Sequence, residues 1–341
     1  MCRARLHDPD LPPPGKDIMG NERTVKFTTS MVKCFKQCRM KYFLEYVEEL
    51  KPLKTPTALK RGTLYHKGLE MLLQGSTLPE IKEALYDIEE SACMEAGVDF
   101  DAIAPGLAYL MVEAFYRESG YASWQVHEVE KSFEVPTAYG KRLIGKIDAF
   151  IEKDGDFFLI EHKSTTRWNG DGAEYLHNLL WDEQPTNYLY AINRMKEDGT
   201  ISAPEIKGVF YVIVEVPKLI PYVATPMEKR RYRRDGSLYA NQHEFDETPE
   251  EYLQRCTAWY NEQPRVHTHF EYRTGKEIDK QIADLNLVFK DMVEAEKNET
   301  FYRNPGACSI IDCPYRPKCL ENNPDTDVLF VKKAARNEEL L

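Results

Sequence analysis

The chain has 341 residues, 42% of them hydrophobic and 11% aromatic, enough for one substantial core or two small domains. No apolar run approaches the roughly 20 residues of a membrane-spanning helix, and no G-x-x-x-x-G-K-[ST] loop occurs, which argues against a membrane protein and an ATP-driven motor. A formal net charge of -11 removes the easiest argument for nucleic-acid binding, a basic surface, and leaves room only for a local basic groove.

Residues 1–24, rich in proline and charge and without the apolar stretch of a secretory signal, are expected to form a flexible lead to a cytoplasmic protein. Residues 28–50 read as an amphipathic helix opened by Thr28, Thr29 or Ser30 as a cap, with Cys34 and Cys38 one turn apart. Further helices are predicted over 57–75, 78–96 and 104–118. The first places Gly62 and His66 four residues apart and stops at Gly75. A lone helical histidine is as often an ordinary packed or solvated residue as a ligand.

Strands dominate from 125 to 164. The stretch LIGKIDAFIEKDGDFFLIEHKST, Leu143 to Thr165, is two β-type runs around Asp154-Gly155, a dipeptide suited to a two-residue turn with both φ values positive. Partners across such a turn have numbers with a constant sum, so Asp148 is expected opposite Glu161. The period of two then brings Lys163 to the same face as Glu161. Opposed carboxylates repel, and a hard divalent cation such as Mg²⁺ or Mn²⁺ is the simplest agent to offset that. The alternative is a surface pair neutralised by the lysine.

A helix with Gln184 and Tyr188 on one face follows, then a strand IKGVFYVIVEV. Residues from about 217 to 247 look like an inserted arm. Its basic run of Arg230, Arg231, Arg233 and Arg234, with Tyr232 able to stack on a base, is either a nucleic-acid contact or a solvated charge run. The segment LKRGTLYHK around His66 is a second basic cluster. Helices over 248–262 and 276–298 lead to PGACSIIDCPYRPKC, where Cys308, Cys313 and Cys319 form an incomplete tetrahedral set that needs a fourth ligand. Residues 321–341 are expected to be a tail. Disulfides are the less suitable reading for eight cysteines so unevenly clustered.

Asp148 followed by Glu161-His162-Lys163 resembles the signature of the PD-(D/E)XK nuclease superfamily. Gly62-x-x-x-His66 and Gln184-x-x-x-Tyr188 are similar to the flanking motifs of its RecB-like branch, including its CRISPR-associated and bacteriophage exonucleases. The resemblance implies an α/β restriction-endonuclease-like core, with a mixed central sheet flanked by helices, an N-terminal helical region and a C-terminal cysteine-rich loop, in one domain over residues 25–320. It implies Mg²⁺ or Mn²⁺ held by His66, Asp148, Glu161 and the backbone carbonyl of His162. Lys163 would act on the water and the transition state, and Gln184 and Tyr188 would hold the strand. Family members with an iron-sulfur cluster take one cysteine before the first motif, which falls on Cys38, with Cys34 in reserve, and three after the last, here Cys308, Cys313 and Cys319. A [4Fe-4S] cluster is implied, and thiolates equally suit Zn²⁺. The activity implied is exonucleolytic hydrolysis of single-stranded DNA ends, 5' to 3', with a recombinase, helicase or integrase as a possible partner. The other readings are a DNA-end-binding accessory of a recombination or integration complex and a metal-dependent hydrolase of another phosphodiester.

Overall fold

A computed structural model describes residues 26–53, 56–137, 141–202, 204–310, 313–321, 324–333 and 336. The expected lead at 1–24 lies outside them. Asp154 and Gly155 take φ values of 55° and 84° and join β4 (Arg142–Lys153) to β5 (Asp156–Thr165). The register has the expected constant sum. Lys153 pairs with Asp156, and the ladder runs back through Phe150 and Leu159 to Ala149 and Ile160.

On its far side β5 pairs in parallel with β6 (Ile206–Glu215), which pairs antiparallel with β7 (Val266–Glu271). β3 (Gln125–Pro136) covers one edge of β4 along most of its length. The other edge is shared: β1 (Lys26–Phe27) takes it at Arg142 and Leu143, and β5 takes it from Ala149 onward. The six-stranded mixed sheet therefore forks, and Asp148 stands at the fork.

Alternating apolar residues load both faces of the sheet. On one, Leu159, Tyr211 and Ile213 pack with α1 (Thr29–Gln37), α7 (Glu183–Glu197) and α9 (Gly275–Asn298) through Met31, Ile192 and Phe289. On the other, Ile160, Val212 and Val214 meet α3 (Thr57–Leu73), α4 (Leu78–Ala96), α5 (Ile103–Glu118) and α8 (Pro249–Glu262) through Leu69, Leu85, Phe115 and Tyr260. Each large side chain so buried is worth about 1.5–3 kcal/mol. Three layers result, with a restriction-endonuclease-like mixed sheet between two sets of helices.

The helix expected over 28–50 is interrupted. Cys38 is extended, with φ -161° and ψ 114°, and α2 (Arg39–Tyr42) resumes into a π turn at Phe43–Val47. The break has partners from the distant chain: Asn304 donates to the Gln37 carbonyl at 2.8 Å, and the Met40 N–H goes to the Tyr302 carbonyl at 3.1 Å. β7 was not expected. Within the expected tail, β8 (Phe330–Lys332) pairs antiparallel with β2 (Leu50–Pro52), so these residues belong to a small second sheet. The arm over 217–247 is irregular apart from a turn at Met227–Lys229 and a Tyr232–Leu238 bridge. Arg255 fastens its root, bonding Glu247 at 2.5 and 2.6 Å and lying 3.8 Å over Tyr222.

A Cβ added at Gly208 would lie 2.6 Å from the Glu271 carbonyl oxygen. Gly208→Ala is expected to prise β6 from β7 and cost about 1–3 kcal/mol, read as a lower urea midpoint. An unchanged midpoint would contradict this close approach.

Candidate active site

The fork decides where the carboxylates lie. The β4–β5 ladder stops one step short of Asp148 and Glu161, and Asp148 Oδ2 accepts the His162 N–H at 3.1 Å in place of a strand carbonyl. Glu161, held between the β4 side and Tyr211 of β6, is 1% exposed. One of its oxygens receives Lys163 Nζ at 2.7 Å, and the other has no hydrogen-bond partner among the described residues. Burial pushes both carboxyls up to about 7, with Lys163 opposing the rise in each case and the His162 N–H doing so at Asp148.

Lys163 also lies 2.7 Å from Asp182, which caps α7 by accepting the Gln184 N–H at 3.3 Å. Burial alone would lower the lysine's pKa. Glu161 and Asp182 outweigh it and hold the ammonium charged. His66, one turn beyond Gly62 on α3, brings Nδ1 to 3.6 Å from Asp148 Oδ2, and desolvation lowers its pKa, the direction that favours the uncharged ring a metal ligand requires. A Cβ at Gly62 would meet nothing within 4 Å, which leaves space over this end of the site. The His162 ring turns to the opposite face, edge-on to His66 and Phe115, with centroids 6.3 and 5.4 Å away. Gln184 Nε2 donates to Tyr188 Oη at 2.9 Å, and that hydroxyl lies in the field of Glu161 and Asp148.

A family model for the PD-(D/E)XK nuclease superfamily matches residues 26–320, most of the chain and all of this site. The chain belongs to that superfamily. As a superfamily member it is a hydrolytic nuclease, for which DNA is the implied substrate and Mg²⁺ or Mn²⁺ the general cofactor. No curated protein matches it. Among solved structures it is similar to one from Eubacterium rectale named "Putative exonuclease", with 12% identity over 89% of this chain and 93% of that one and a TM-score of 0.45. It is also similar to SSO0001, with 16% identity over 72% of this chain and 80% of that one and a TM-score of 0.24. At these values the family model assigns the chain and the structural likenesses add nothing to it.

The donors of this nuclease site suit a hard cation. A buried carboxylate, a half-buried one and an imidazole converge, and the Glu161 oxygen with no partner among the described residues has a lone pair to give. Among the described residues, no group of three or more histidine, cysteine or acidic side chains is gathered closely enough to hold a metal ion, here or at the thiols. At the other end, burial raises the Cys313 and Cys319 thiols, and the neighbouring Cys38 and Cys308 raise both further. Cys34 instead donates to Glu45 Oε2 at 3.7 Å. Thiolates as a class suit a soft metal. Of the basic arm, Arg231, Tyr232, Arg233 and Arg234 are exposed, whereas Arg230 bonds the Thr225 and Glu244 carbonyls.

Two residues escaped the sequence reading. Asp182 was not singled out, and its one available signal was an acidic residue just before the Gln184 helix, the place of an N-cap. Glu130 had no signal at all: it adopts φ 52°, the β3–β4 register skips its rung opposite Asp148, and its carboxylate adds to the field at Asp148 and His66.

Because the folded-state pKa values of Asp148 and Glu161 are raised, the stability these groups contribute is complete below their ordinary values and is lost as pH rises through about 7. In EDTA, wild-type protein should lose on the order of 1–3 kcal/mol from these groups between about pH 6 and pH 8, and Glu161→Gln should flatten that slope. Added Mn²⁺ should restore the wild type at the upper pH but not the variant. Superimposable stability curves for the two proteins would contradict the assignment.

Proposed function

We propose that the chain is a Mg²⁺- or Mn²⁺-dependent exonuclease of single-stranded DNA ends, acting 5' to 3' in recombination, repair or CRISPR-type end processing. The observation that supports this best is the convergence of Asp148, Glu161, a charged Lys163 and the Gln184–Tyr188 pair at the fork of the sheet. His66, Asp148, Glu161 and the His162 carbonyl would hold the cation. When bound it polarises phosphate oxygens and lowers the pKa of water. Glu161 and Asp182 keep Lys163 as an ammonium, so its part is to orient the attacking water and to donate to the oxygens on which charge grows. Gln184 fixes the Tyr188 hydroxyl, which can then hold a strand phosphate.

Cys38, Cys308, Cys313 and Cys319 would hold a [4Fe-4S] cluster, or Zn²⁺, fastening the break after α1 to the C-terminal loop. Closing so long a loop removes roughly 5 kcal/mol of unfolded-state entropy, so the cluster's role is to hold the two ends of the fold together. A second reading, an end-binding accessory that needs a recombinase, helicase or integrase partner, is favoured by the exposed Ile220, Val223, Met227 and Phe245 in and beside the arm.

Anaerobically purified protein should shorten end-labelled single-stranded DNA from one end with Mn²⁺ or Mg²⁺ and not with EDTA. Lys163→Ala should slow this by roughly 10²–10³-fold. A folded, metal-loaded protein that binds ends tightly without cutting them would move the reading to the accessory. For the thiols, Cys38→Ala should abolish visible cluster absorbance and lower the thermal midpoint, while Cys34→Ala should keep both. The reverse pattern would exchange the two assignments.

A further inference from the structure

We propose that Trp181, with Leu180 beside it, is the platform on which a base of the substrate strand stacks while its phosphate occupies the site at Lys163. The inference rests on the single-strand reading above and names the contact that would select a nucleobase-bearing strand over other phosphodiesters. The chain has four tryptophans. Trp124 is buried, Trp168 stacks on His267 with centroids 3.8 Å apart, and Trp259 lies under the Arg265 guanidinium at 3.7 Å. Trp181 alone among them is mostly exposed, at 76%, and Leu180 is exposed with it.

Position, rather than exposure, carries the argument, since single exposed apolar side chains are common. Trp181 directly precedes Asp182, whose carboxylate caps α7 and touches Lys163 at 2.7 Å. Consecutive Cα atoms are about 3.8 Å apart, so the indole is rooted within reach of a nucleotide flanking the phosphate at the lysine. The turn is also stiff. Its Trp181 and Asp182 N–H groups bond the Asn178 and Leu179 carbonyls at 3.2 and 3.1 Å, and Arg273 donates to the Leu179 and Leu180 carbonyls at 2.9 and 3.4 Å. A rigid aromatic face beside a catalytic cation suits stacking, which tolerates any base because every base has a π-face. Lys33, 3.4 Å from Asp182, adds a second ammonium on the same side for the flanking phosphate.

The test is binding of full-length protein to oligo-dT and to the same strand made abasic, with Ca²⁺ to hold back cleavage. Trp181→Ala should weaken oligo-dT binding by about 5- to 100-fold, Trp181→Phe should recover most of the loss, and all three proteins should bind the abasic strand alike. Oligo-dT should also quench wild-type tryptophan fluorescence, a signal that Trp181→Phe removes. Unchanged oligo-dT binding by Trp181→Ala, or an equal loss on the abasic strand, would overturn the platform and leave the nuclease reading intact. A wild-type protein that binds neither strand would overturn the single-strand reading and the platform with it.

Discussion

Everything at the functional end of this molecule follows from the cost of withdrawing two carboxylates from water, Glu161 fully and Asp148 in part, where a β-sheet forks. The ladder between β4 and β5 ends at Ala149 and Ile160 because β5 leaves β4 to follow β6, and the space that opens is filled by acid side chains rather than apolar ones. An unpaired buried carboxylate costs several kcal/mol unless it is protonated, paired or metal-bound. Asp148 offsets part of that cost with a main-chain N–H and Glu161 with Lys163, yet among the described residues one Glu161 oxygen is left without a partner. A core that keeps such a group has a use for its lone pair.

The lysine shows how the same constraint spreads. Lys163 bridges Glu161 on β5 and Asp182 at the start of α7, so the helix that carries Gln184 and Tyr188 is tied to the sheet through the lysine's charge itself. The groups proposed to meet a phosphate are in this way set by the same ion pairs that position the lysine. Charge balance is local: the chain is acidic as a whole, while the groups facing the site alternate in sign.

Much of this was legible in the residues, and the physical reasons differ from place to place. The hairpin and its register followed from Asp154-Gly155, since only a few residues tolerate two positive φ values. The two-faced burial of β5 followed from its alternation. What was not legible depended on contacts far along the chain. A strongly amphipathic helix over 28–50 breaks at Cys38 because Tyr302 and Asn304 supply the hydrogen bonds that a continuous helix would have made. Asp182 gains its meaning only from the fold, which brings Lys163 to it. The left-handed Glu130 is a backbone state that no side-chain pattern announces.

In the reading proposed above, Asp148 and Glu161 share a divalent cation that displaces their protons. Calorimetric titration of metal-free protein with Mn²⁺, in buffers of different ionisation enthalpy, measures binding and proton release together. The account predicts one site whose proton release grows as pH falls from about 8 to about 6, lost in both Asp148→Asn and Glu161→Gln. Binding that survives in either variant, or that releases no protons across this range, would contradict it.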